Sequence, residues 1–406
     1  MVDRFFSLWA VVIPITSVVL IPTVKGTLPS YFFAMMSLII GMKYRREYPF
    51  GRLLKIAFIF VFMIIMSQFC VLICNDFLPD LILVDKTDLQ MIAFRSSLLT
   101  QSIYLIPCVL VYIYTACFYK PSWDKWIFAG GTILALYGIY EWGFFLVTGE
   151  NGDFLSNRWF GDSDGTMNGS LFQTLQLGGY SVQRLKSLVG EPSMYAYSML
   201  AYWIYALHAG RKKLAMFYLA TLLLSTSTTM FVGVMMYGIY WLCKYGKVKN
   251  IVVLGIAILA VTIFFYDIIY DFVDKMLLAK MYMENTSGEE RGSNVIDSLT
   301  VFADSPLPIE LFGWGWGTIR STDFFSTLLI NTGLVGLVLW TMAVLYPCVI
   351  KGGSYRYEGI KIILIIEYFV MMVSVPEFSY MFYWMFLGIA YNDARKYKAN
   401  NKVVEI

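Results

Sequence analysis

Long apolar runs, separated by short charged or turn-rich segments, constrain this chain more than any other feature of its sequence. Of its 406 residues, 58% are apolar and 15% are charged, whereas soluble domains have about 45–50% and about 25%. A soluble fold of this length buries only about 75% of its surface, so a large apolar area would stay in water. The sequence therefore excludes a soluble enzyme, a disordered scaffold and a secreted disulfide domain, and it predicts a protein of the lipid bilayer.

Twelve membrane spans are predicted from these runs, since one crossing takes about 20 mostly apolar residues. Ten spans are assigned directly, to residues 5–21, 28–42, 55–73, 97–118, 126–147, 193–209, 251–266, 324–350, 360–375 and 378–391. Residues 214–243 are too long for one crossing, and the polar run 225–229 divides them. Basic residues flank both ends of this stretch, and cytoplasmic loops collect Lys and Arg. We therefore predict a helical hairpin there, with its polar tip near the outer face.

The expected fold is an all-α polytopic integral membrane protein, a single transmembrane domain over residues 1–406 with both termini in the cytoplasm. Charge agrees with this topology. The loops assigned to the cytoplasm carry 21 of the 31 Lys and Arg and 6 acidic residues, a net charge of +15. The outer loops carry 10 basic and 20 acidic residues, a net charge of −10. The total of +3 is too small to suggest a nucleic-acid partner.

Two outer loops are much longer than the other connections, namely residues 149–192 and 267–323. Because loops of this length in compact proteins tend to be functional, we expect the active site there. A third outer segment, residues 75–95, mixes Leu and Ile with Asp and is predicted to be an amphipathic helix at the membrane interface.

The first long loop ends in a combination of charge and helix terminus that suits an anion. Pro192 suits the first turn of a helix that begins at the outer face. The positive end of the helix dipole then lies beside Arg184 and Lys186, and free backbone N–H groups and two cations make a candidate pyrophosphate site. Two plainer interpretations stay open. Glu191 is a favourable acid at a helix N-terminus, and the two cations are also suited to lipid headgroups.

The second long loop contains the sequence Leu-Phe-Gly-Trp-Gly-Trp-Gly (residues 311–317) between Arg291 and Asp323. Glycine at alternate positions permits a tight backbone that other groups approach closely. Trp314 and Trp316 suit stacking on a sugar ring, and an aromatic belt at the membrane interface is the alternative.

Two acidic residues inside predicted spans require a cavity or a partner, because ionisable groups in a bilayer rarely stand alone. Glu141 lies about 22 Å from the inner end of its span at 1.5 Å per residue. It is thus within reach of an outward-facing cavity that Glu377, in the last outer turn, also joins. Glu367 is placed nearer the inner side and predicted to be structural. The lone histidine, His208, is predicted to be a satisfied residue at the cytoplasmic interface.

Both long loops resemble those of a known family. The sequence Arg-Leu-Lys-Ser-Leu-Val-Gly-Glu-Pro-Ser (residues 184–193) is similar to the family's Arg followed by Glu-Pro-Ser at the start of a span. A second block extends from Arg291 through residues 311–317 to Asp323 and the Gly-Leu-Val-Gly of residues 333–336. In these motifs and in its topology, the chain resembles the O-antigen and capsule repeat-unit polymerases (the Wzy type), within the wider family of O-antigen polymerases and ligases.

The resemblance implies a fold like the C-type (GT-C) glycosyltransferases, in the bacterial inner (plasma) membrane with the active site facing the periplasm or the outside. The implied partners are undecaprenyl-pyrophosphate-linked oligosaccharides and membrane lipids, with a chain-length regulator as a further candidate. A hydroxyl of one repeat unit attacks the anomeric carbon of the other, and undecaprenyl pyrophosphate leaves. The chain offers no metal-ligand spacing, and the resemblance implies a metal-independent transfer without a cofactor.

This chemistry gives roles to the outer charged residues. Arg184 and Arg291 are predicted to stabilise the leaving pyrophosphate, since a guanidinium group suits bidentate phosphate contact. Glu191 is the first candidate for the base that accepts the proton of the hydroxyl, with Asp323 and Glu141 behind it. Contacts with substrate are expected from Lys186, Ser193, Arg320, Glu141, Trp314, Trp316 and Arg158.

The chain departs from the family pattern at two places. Many members carry Arg in the hairpin that here has only hydroxyls at residues 225–229, and ligases place His near the position of Asp323. The second departure favours a polymerase over a ligase that transfers glycan to a lipid or protein acceptor.

A flippase or transporter of lipid-linked repeat units is the other alternative. It is expected to carry charges along central spans and inverted repeats, which we do not find in the sequence.

Overall fold

The computed structural model describes residues 1–22, 26–45, 48–74, 83–84, 91–155, 157–158, 172–177, 180–247, 286–350 and 353–404, and this part of the chain is mostly helical. Four of the described helical segments are long and apolar enough to cross a membrane, judged by length and composition. They are Phe50–Ile73, Ser96–Phe118, Pro121–Thr148 and Phe324–Val349. The predicted class, an all-α membrane protein, agrees with this finding.

Thirteen α-helices lie within the described residues. In chain order they are α1 (Val2–Val12), α2 (Pro29–Lys43), α3 (Phe50–Ile73), α4 (Ser96–Phe118), α5 (Asp124–Thr148), α6 (Pro192–His208), α7 (Lys212–Leu224), α8 (Thr228–Tyr245), α9 (Thr286–Ala303), α10 (Leu307–Phe312), α11 (Phe324–Val349), α12 (Tyr355–Ser374) and α13 (Met381–Val404). A two-stranded antiparallel hairpin, β1 (Thr174–Leu177) and β2 (Tyr180–Gln183), lies in the first long loop. This hairpin was not among the sequence predictions.

Most predicted spans in the described part of the chain coincide with a helix. The long stretch 214–243 is divided into α7 and α8 at the polar run, as predicted. α13 extends beyond its predicted end, to Val404. The predicted span 251–266 and most of the amphipathic segment 75–95 lie outside the described residues.

The structure corrects the first predicted span, residues 5–21, which is helical only in its first part. Its helix, α1, ends at Val12, because Pro14 lacks a backbone N–H and restricts the residue before it. The chain continues without helix, and Thr16 N and Ser17 N both donate to Leu188 O at 3.3 Å. With 11 residues, α1 is about 16 Å long and covers only part of a hydrocarbon core of about 30 Å; the rest of this segment is not helical.

The centre of the bundle is α6. Of its 17 residues 14 are buried, since a helix that is apolar all round has no face to offer to water. It packs against α7, α8 and α12, while α4 packs against α13. In contrast, α3 exposes large apolar side chains along its length, among them Leu54, Phe58, Ile65 and Phe69. Such a surface suits contact with lipid tails.

Polar contacts between helices gather at two ends of the bundle. At the basic end, which the α4–α5, α6–α7 and α11–α12 connections form, Arg356 Nη2 donates to Asp393 Oδ2 at 2.7 Å. At the loop end, which holds the long loops, Arg184 Nε donates to Ser225 O at 3.3 Å in the turn between α7 and α8. The residues that the sequence selects for function lie mainly toward the loop end.

Candidate functional site

The motif at residues 184–193 is bonded to three neighbouring elements. Leu185 N donates to Leu224 O at 3.1 Å, at the end of α7. Arg184 Nη1 donates to Gln173 Oε1, next to β1, and its Nε reaches the α7–α8 turn. Arg184, a predicted catalytic residue, therefore stands half-buried between the β-hairpin and the α7–α8 turn.

Lys186, Arg158 and Glu141 meet in one buried ion cluster, and Asp153 completes it. Lys186 Nζ lies 3.1 Å from Glu141 Oε1 and 3.4 Å from Asp153 Oδ2. Arg158 Nε lies 2.7 Å from Asp153 Oδ2, and Arg158 Nη2 lies 3.9 Å from Glu141 Oε1. No side chain of the four is more than 4% exposed. Two cations thus face two carboxylates without access to water.

This cluster sets the path of the backbone between Lys186 and Glu191. Arg158 Nη2 donates to Ser187 O at 2.7 Å and to Val189 O at 3.3 Å. Ser187 has a φ of 62°, a conformation that non-glycine residues adopt only where their surroundings impose it. We therefore assign Arg158 a role in positioning the motif.

The cluster differs from the open cavity that the sequence predicts around Glu141. Because burial disfavours a charged ammonium group, it lowers the pKa of Lys186, and the attraction of Glu141 opposes that shift. A buried charge is tolerated when it is paired and hydrogen-bonded. In this structure Lys186, Arg158 and Glu141 are committed to each other and to Asp153 rather than presented to a substrate.

The start of α6 is as the sequence predicts. Pro192 is its first residue, and Glu191 occupies the position before it with extended backbone. Ser193 Oγ donates to Glu191 Oε1. Glu191 and Ser193 are both partly exposed, so this carboxylate, unlike that of Glu141, is open to a partner from outside.

In the second loop, the glycine run folds against a break in α11. Gly333 has a φ of 65° and interrupts the helix. The carbonyls just before the break, those of Ile330 and Asn331, accept hydrogen bonds from Trp314 N at 2.7 Å and Gly315 N at 3.1 Å. The run therefore replaces helical hydrogen bonds that the break removes.

Glycine is required at the two closest points of this contact. A Cβ on Gly333 would lie 2.4 Å from the carbonyl carbon and oxygen of Leu311, and one on Gly313 would lie 2.4 Å from Thr332 N. Both residues have positive φ, which disfavours any side chain. The predicted tight, closely approached backbone is confirmed at these positions.

Of the two tryptophans of the run, Trp314 is buried and Trp316 is partly buried. Trp314 is 2% exposed and its Nε1 donates to Ser305 Oγ at 3.1 Å. Trp316 lies with its ring 5.5 Å from Phe60 and 4.7 Å from Phe378, measured between centroids. Trp314 therefore offers no free face to a sugar ring in this structure. Trp316 connects α3 with the turn before α13 through its ring contacts.

Asp323, the second candidate base, caps the start of α11. Its Oδ1 accepts from Ser326 N at 2.8 Å, and its Oδ2 accepts from the hydroxyl groups of Ser326 and Ser321. The residue is 4% exposed. Because both carboxylate oxygens are used by the helix terminus, the geometry is that of an N-cap.

A group of partly exposed charges, which we call the rim cluster, consists of Glu191, Arg320 and Glu377 around Tyr380. Arg320 Nη2 lies 3.3 Å from Glu377 Oε2, and their side chains are 58% and 23% exposed. Glu377 Oε1 accepts from Ser379 Oγ at 2.7 Å. Glu191, Arg320 and Glu377 each act electrostatically on the Tyr380 hydroxyl, and Tyr197 of α6 lies 4.9 Å from Tyr380 between ring centroids. The cluster brings the first motif and the second loop to one place.

Arg291 lies in α9, and its side chain is outside the described residues. Within the second loop, the backbone of α9 contacts the segment that carries Arg320, since Ser321 Oγ donates to Asn294 O at 3.5 Å. Asn294 follows Arg291 by less than one helical turn.

Sequence reasoning missed Asp153 and Tyr380, because neither belongs to a motif and both acquire their roles from partners distant in the chain.

Glu367 is fully buried in α12, which packs against α6. His208 is satisfied as predicted. Its Nδ1 lies 3.1 Å from Tyr355 O and its Nε2 lies 3.2 Å from the Tyr237 hydroxyl.

Comparison with known proteins finds no match, whether to a protein-family model, a curated protein or a solved structure.

Proposed function

We propose that the chain is an oligosaccharide repeat-unit polymerase of the Wzy type. It joins undecaprenyl-pyrophosphate-linked oligosaccharides and releases undecaprenyl pyrophosphate. In this proposal the chain spans the bacterial inner (plasma) membrane about twelve times, with a fold resembling GT-C glycosyltransferases. The loop end faces the periplasm or the outside.

One observation carries the proposal. The helix that follows the first motif and the end of the second loop meet at the turn before α13. Tyr197 of α6 lies 4.9 Å from Tyr380 between ring centroids, and Arg320 Nη2 lies 3.3 Å from Glu377 Oε2. A pyrophosphate-leaving transfer requires a cation for the departing charge and a base for the attacking hydroxyl. The rim cluster supplies a partly exposed group of each kind.

In this proposal the charged side chains have the following roles. Arg320 and Arg291 contact the pyrophosphate from the second loop, and Arg184 contacts it from the first. A guanidinium group needs no protonation step to carry its charge and matches phosphate with paired donors. Glu191 is a candidate for the base that accepts the hydroxyl proton. It lies at the start of α6, where the helix dipole also favours an anion. Lys186 and Arg158 hold the first motif in position from within.

The orientation of the chain is part of the same proposal. Arg211, Lys212 and Lys213 are exposed beside the basic end, and the cytoplasmic side of a membrane protein is enriched in Lys and Arg. The basic end and both termini therefore face the cytoplasm. The carrier lipid reaches the rim cluster from the outer leaflet.

Substitution of the arginines in a strain that lacks the chromosomal gene tests the proposal. We expect Arg184→Ala and Arg291→Ala to abolish long surface glycans, seen as loss of the ladder on a gel, at unchanged protein abundance. Arg4→Ala, an exposed arginine at the basic end, is the matched control and should keep the ladder.

The form of the remaining glycan separates this function from the alternatives. A deletion that leaves one repeat unit on its acceptor supports a polymerase. Polymer stranded on the carrier lipid indicates a ligase, and repeat units retained inside the cell indicate a flippase. A normal ladder in both arginine variants would contradict the roles assigned to them.

A further inference from the structure

Arg320 differs from the other outer arginines in the described side chains. Arg158 is closed inside the buried ion cluster, and Arg184 is bonded to Gln173 and to the α7–α8 turn. The Arg320 side chain is 58% exposed and pairs with Glu377 across 3.3 Å. An ion pair that is this exposed contributes little to stability, so a competing anion can replace the carboxylate.

The backbone that carries Arg320 is held on both sides. The Asn331 side chain makes two hydrogen bonds of 2.9 Å with the backbone of Ile319. Ser321 N donates to Thr327 Oγ1 at 3.0 Å. The backbone at Arg320 is therefore fixed, while its guanidinium group projects into an open region. This is a suitable arrangement for a side chain that exchanges one anionic partner for another.

Glu377 is likewise fixed, and its two oxygens have different partners. Oε1 accepts from Ser379 N at 3.3 Å and from Ser379 Oγ at 2.7 Å, whereas Oε2 faces Arg320. The residue lies between Pro376 and Phe378, and Phe378 packs on Trp316. When Arg320 leaves, Oε2 becomes available at a defined position while Oε1 stays bound.

We propose that Glu377 is the general base of the glycosyl transfer and that Arg320 blocks it until the donor binds. This inference rests on the proposed function. In the resting protein Arg320 pairs with Glu377. The donor pyrophosphate carries more negative charge than one carboxylate and accepts paired hydrogen bonds, so it draws the guanidinium group away. Donor binding thereby uncovers the base, and the acceptor hydroxyl is activated only when a donor is present.

The bond changes of this step balance without an oxidant or a metal. The acceptor oxygen forms a bond to the anomeric carbon of the donor sugar. The bond from that carbon to the pyrophosphate oxygen breaks, and its electron pair leaves with undecaprenyl pyrophosphate, whose charge Arg320 stabilises. The hydroxyl proton moves to Glu377 Oε2 and passes to water when the product leaves.

Other carboxylates of the loop end are less suited to this role. Both oxygens of Asp323 are used in capping α11, and Glu141 is enclosed with Lys186. Glu191 is partly exposed, but its Oε1 accepts from Ser193 at the start of α6. Glu377 alone among these four has an oxygen whose described partner is an exposed cation.

The test compares Glu377→Gln, Glu377→Asp and Arg320→Ala with the wild-type chain in lipid nanodiscs. Binding is measured with undecaprenyl pyrophosphate, and polymerisation is measured as an initial rate on lipid-linked repeat units. We expect Glu377→Gln to slow polymerisation by at least about 100-fold, the usual contribution of a general base. It should bind undecaprenyl pyrophosphate as tightly as wild type or more tightly, because Arg320 has lost its competing partner. Arg320→Ala should weaken binding by about 10–100-fold.

Controls separate a chemical role from a structural one. Glu150→Gln, at an exposed position of the same end, should change neither measurement. Glu377→Asp keeps the carboxylate and should recover part of the rate, with an altered pH profile. Thermal unfolding of each variant shows whether it is folded, and Glu377→Asp serves if Glu377→Gln is not.

Two outcomes overturn the inference while leaving the proposed function in place. They are full polymerisation by Glu377→Gln, and an equal loss of binding and rate in a folded Glu377→Gln variant. If the wild-type chain itself makes no polymer under these conditions, the proposed function fails, and the role of Glu377 fails with it.

Discussion

Lys186 has its ammonium group between two carboxylates in a place closed to water, with 0% of its side chain exposed. Sequence reasoning selects Lys186, Arg158 and Glu141 as charged residues that need an explanation. It does not find Asp153, and it assigns the set to substrate binding. Whether a charge faces a ligand or an internal partner depends on contacts between residues distant in the chain, and the local sequence does not show these contacts.

Removing one partner of this buried cluster should destabilise the protein strongly. We expect Lys186→Met to cost about 3–5 kcal/mol, because it leaves the carboxylates of Glu141 and Asp153 with too little positive charge. The double variant Glu141→Gln with Lys186→Met should recover most of that loss. Thermal unfolding in detergent measures both.

A surface pair provides the control for this prediction. Lys120 pairs with Asp3 at 3.2 Å, but both side chains are more than half exposed. Lys120→Met should therefore change stability by no more than about 1 kcal/mol. If Lys186→Met is as stable as Lys120→Met, the cluster is not the structural support described above.

At the scale of elements, the apolar runs predict α3, α4 and α5 well, because a bilayer-length apolar segment has few alternatives to a helix. They fail at α1, where the extended chain after Pro14 is held by Leu188. They also miss the β-hairpin and the break in α11. Each of these features depends on a partner element, which the local pattern does not encode.

The contact of the glycine run with the α11 break leads to a specific prediction. Gly333→Ala should destabilise the second loop, because its Cβ meets the backbone of Leu311 at 2.4 Å and its φ is 65°. A cost of about 2–4 kcal/mol is expected from strain and displacement together. Protease cleavage within residues 307–323 should become faster.

Gly143→Ala is the matched control. A Cβ there meets nothing within 4 Å, and it lies inside α5, where alanine is the better helix former. That variant should be as stable as the wild type or slightly more stable. Equal protease resistance in the two variants would show that the Gly333 contact does not hold the loop.

At the scale of the whole molecule, the exposed basic residues 211–213 and Glu191 of the rim cluster lie at opposite ends of α6. The sequence reveals which connections are basic, and the structure places Arg356 and Asp393 together at one end and the rim cluster at the other. The convergence of the two loops was expected only in general terms, through a shared outer location. The pairing of Arg320 with Glu377 requires the folded chain.

Accessibility to a membrane-impermeant thiol reagent tests this orientation. In a background without the 6 native cysteines, Glu150→Cys at the loop end should react in intact spheroplasts. Lys213→Cys at the basic end should react only after the membrane is opened, since the proposal places it in the cytoplasm. Both positions are exposed, so the reverse pattern would overturn the proposed orientation.

The most direct test of the central claim is polymerisation by the purified protein. The chain, reconstituted in nanodiscs, is supplied with a lipid-linked repeat unit, and both the glycan ladder and free undecaprenyl pyrophosphate are measured. The account predicts a ladder of products and one undecaprenyl pyrophosphate released for each linkage formed. A folded protein that releases none and extends no glycan would contradict it.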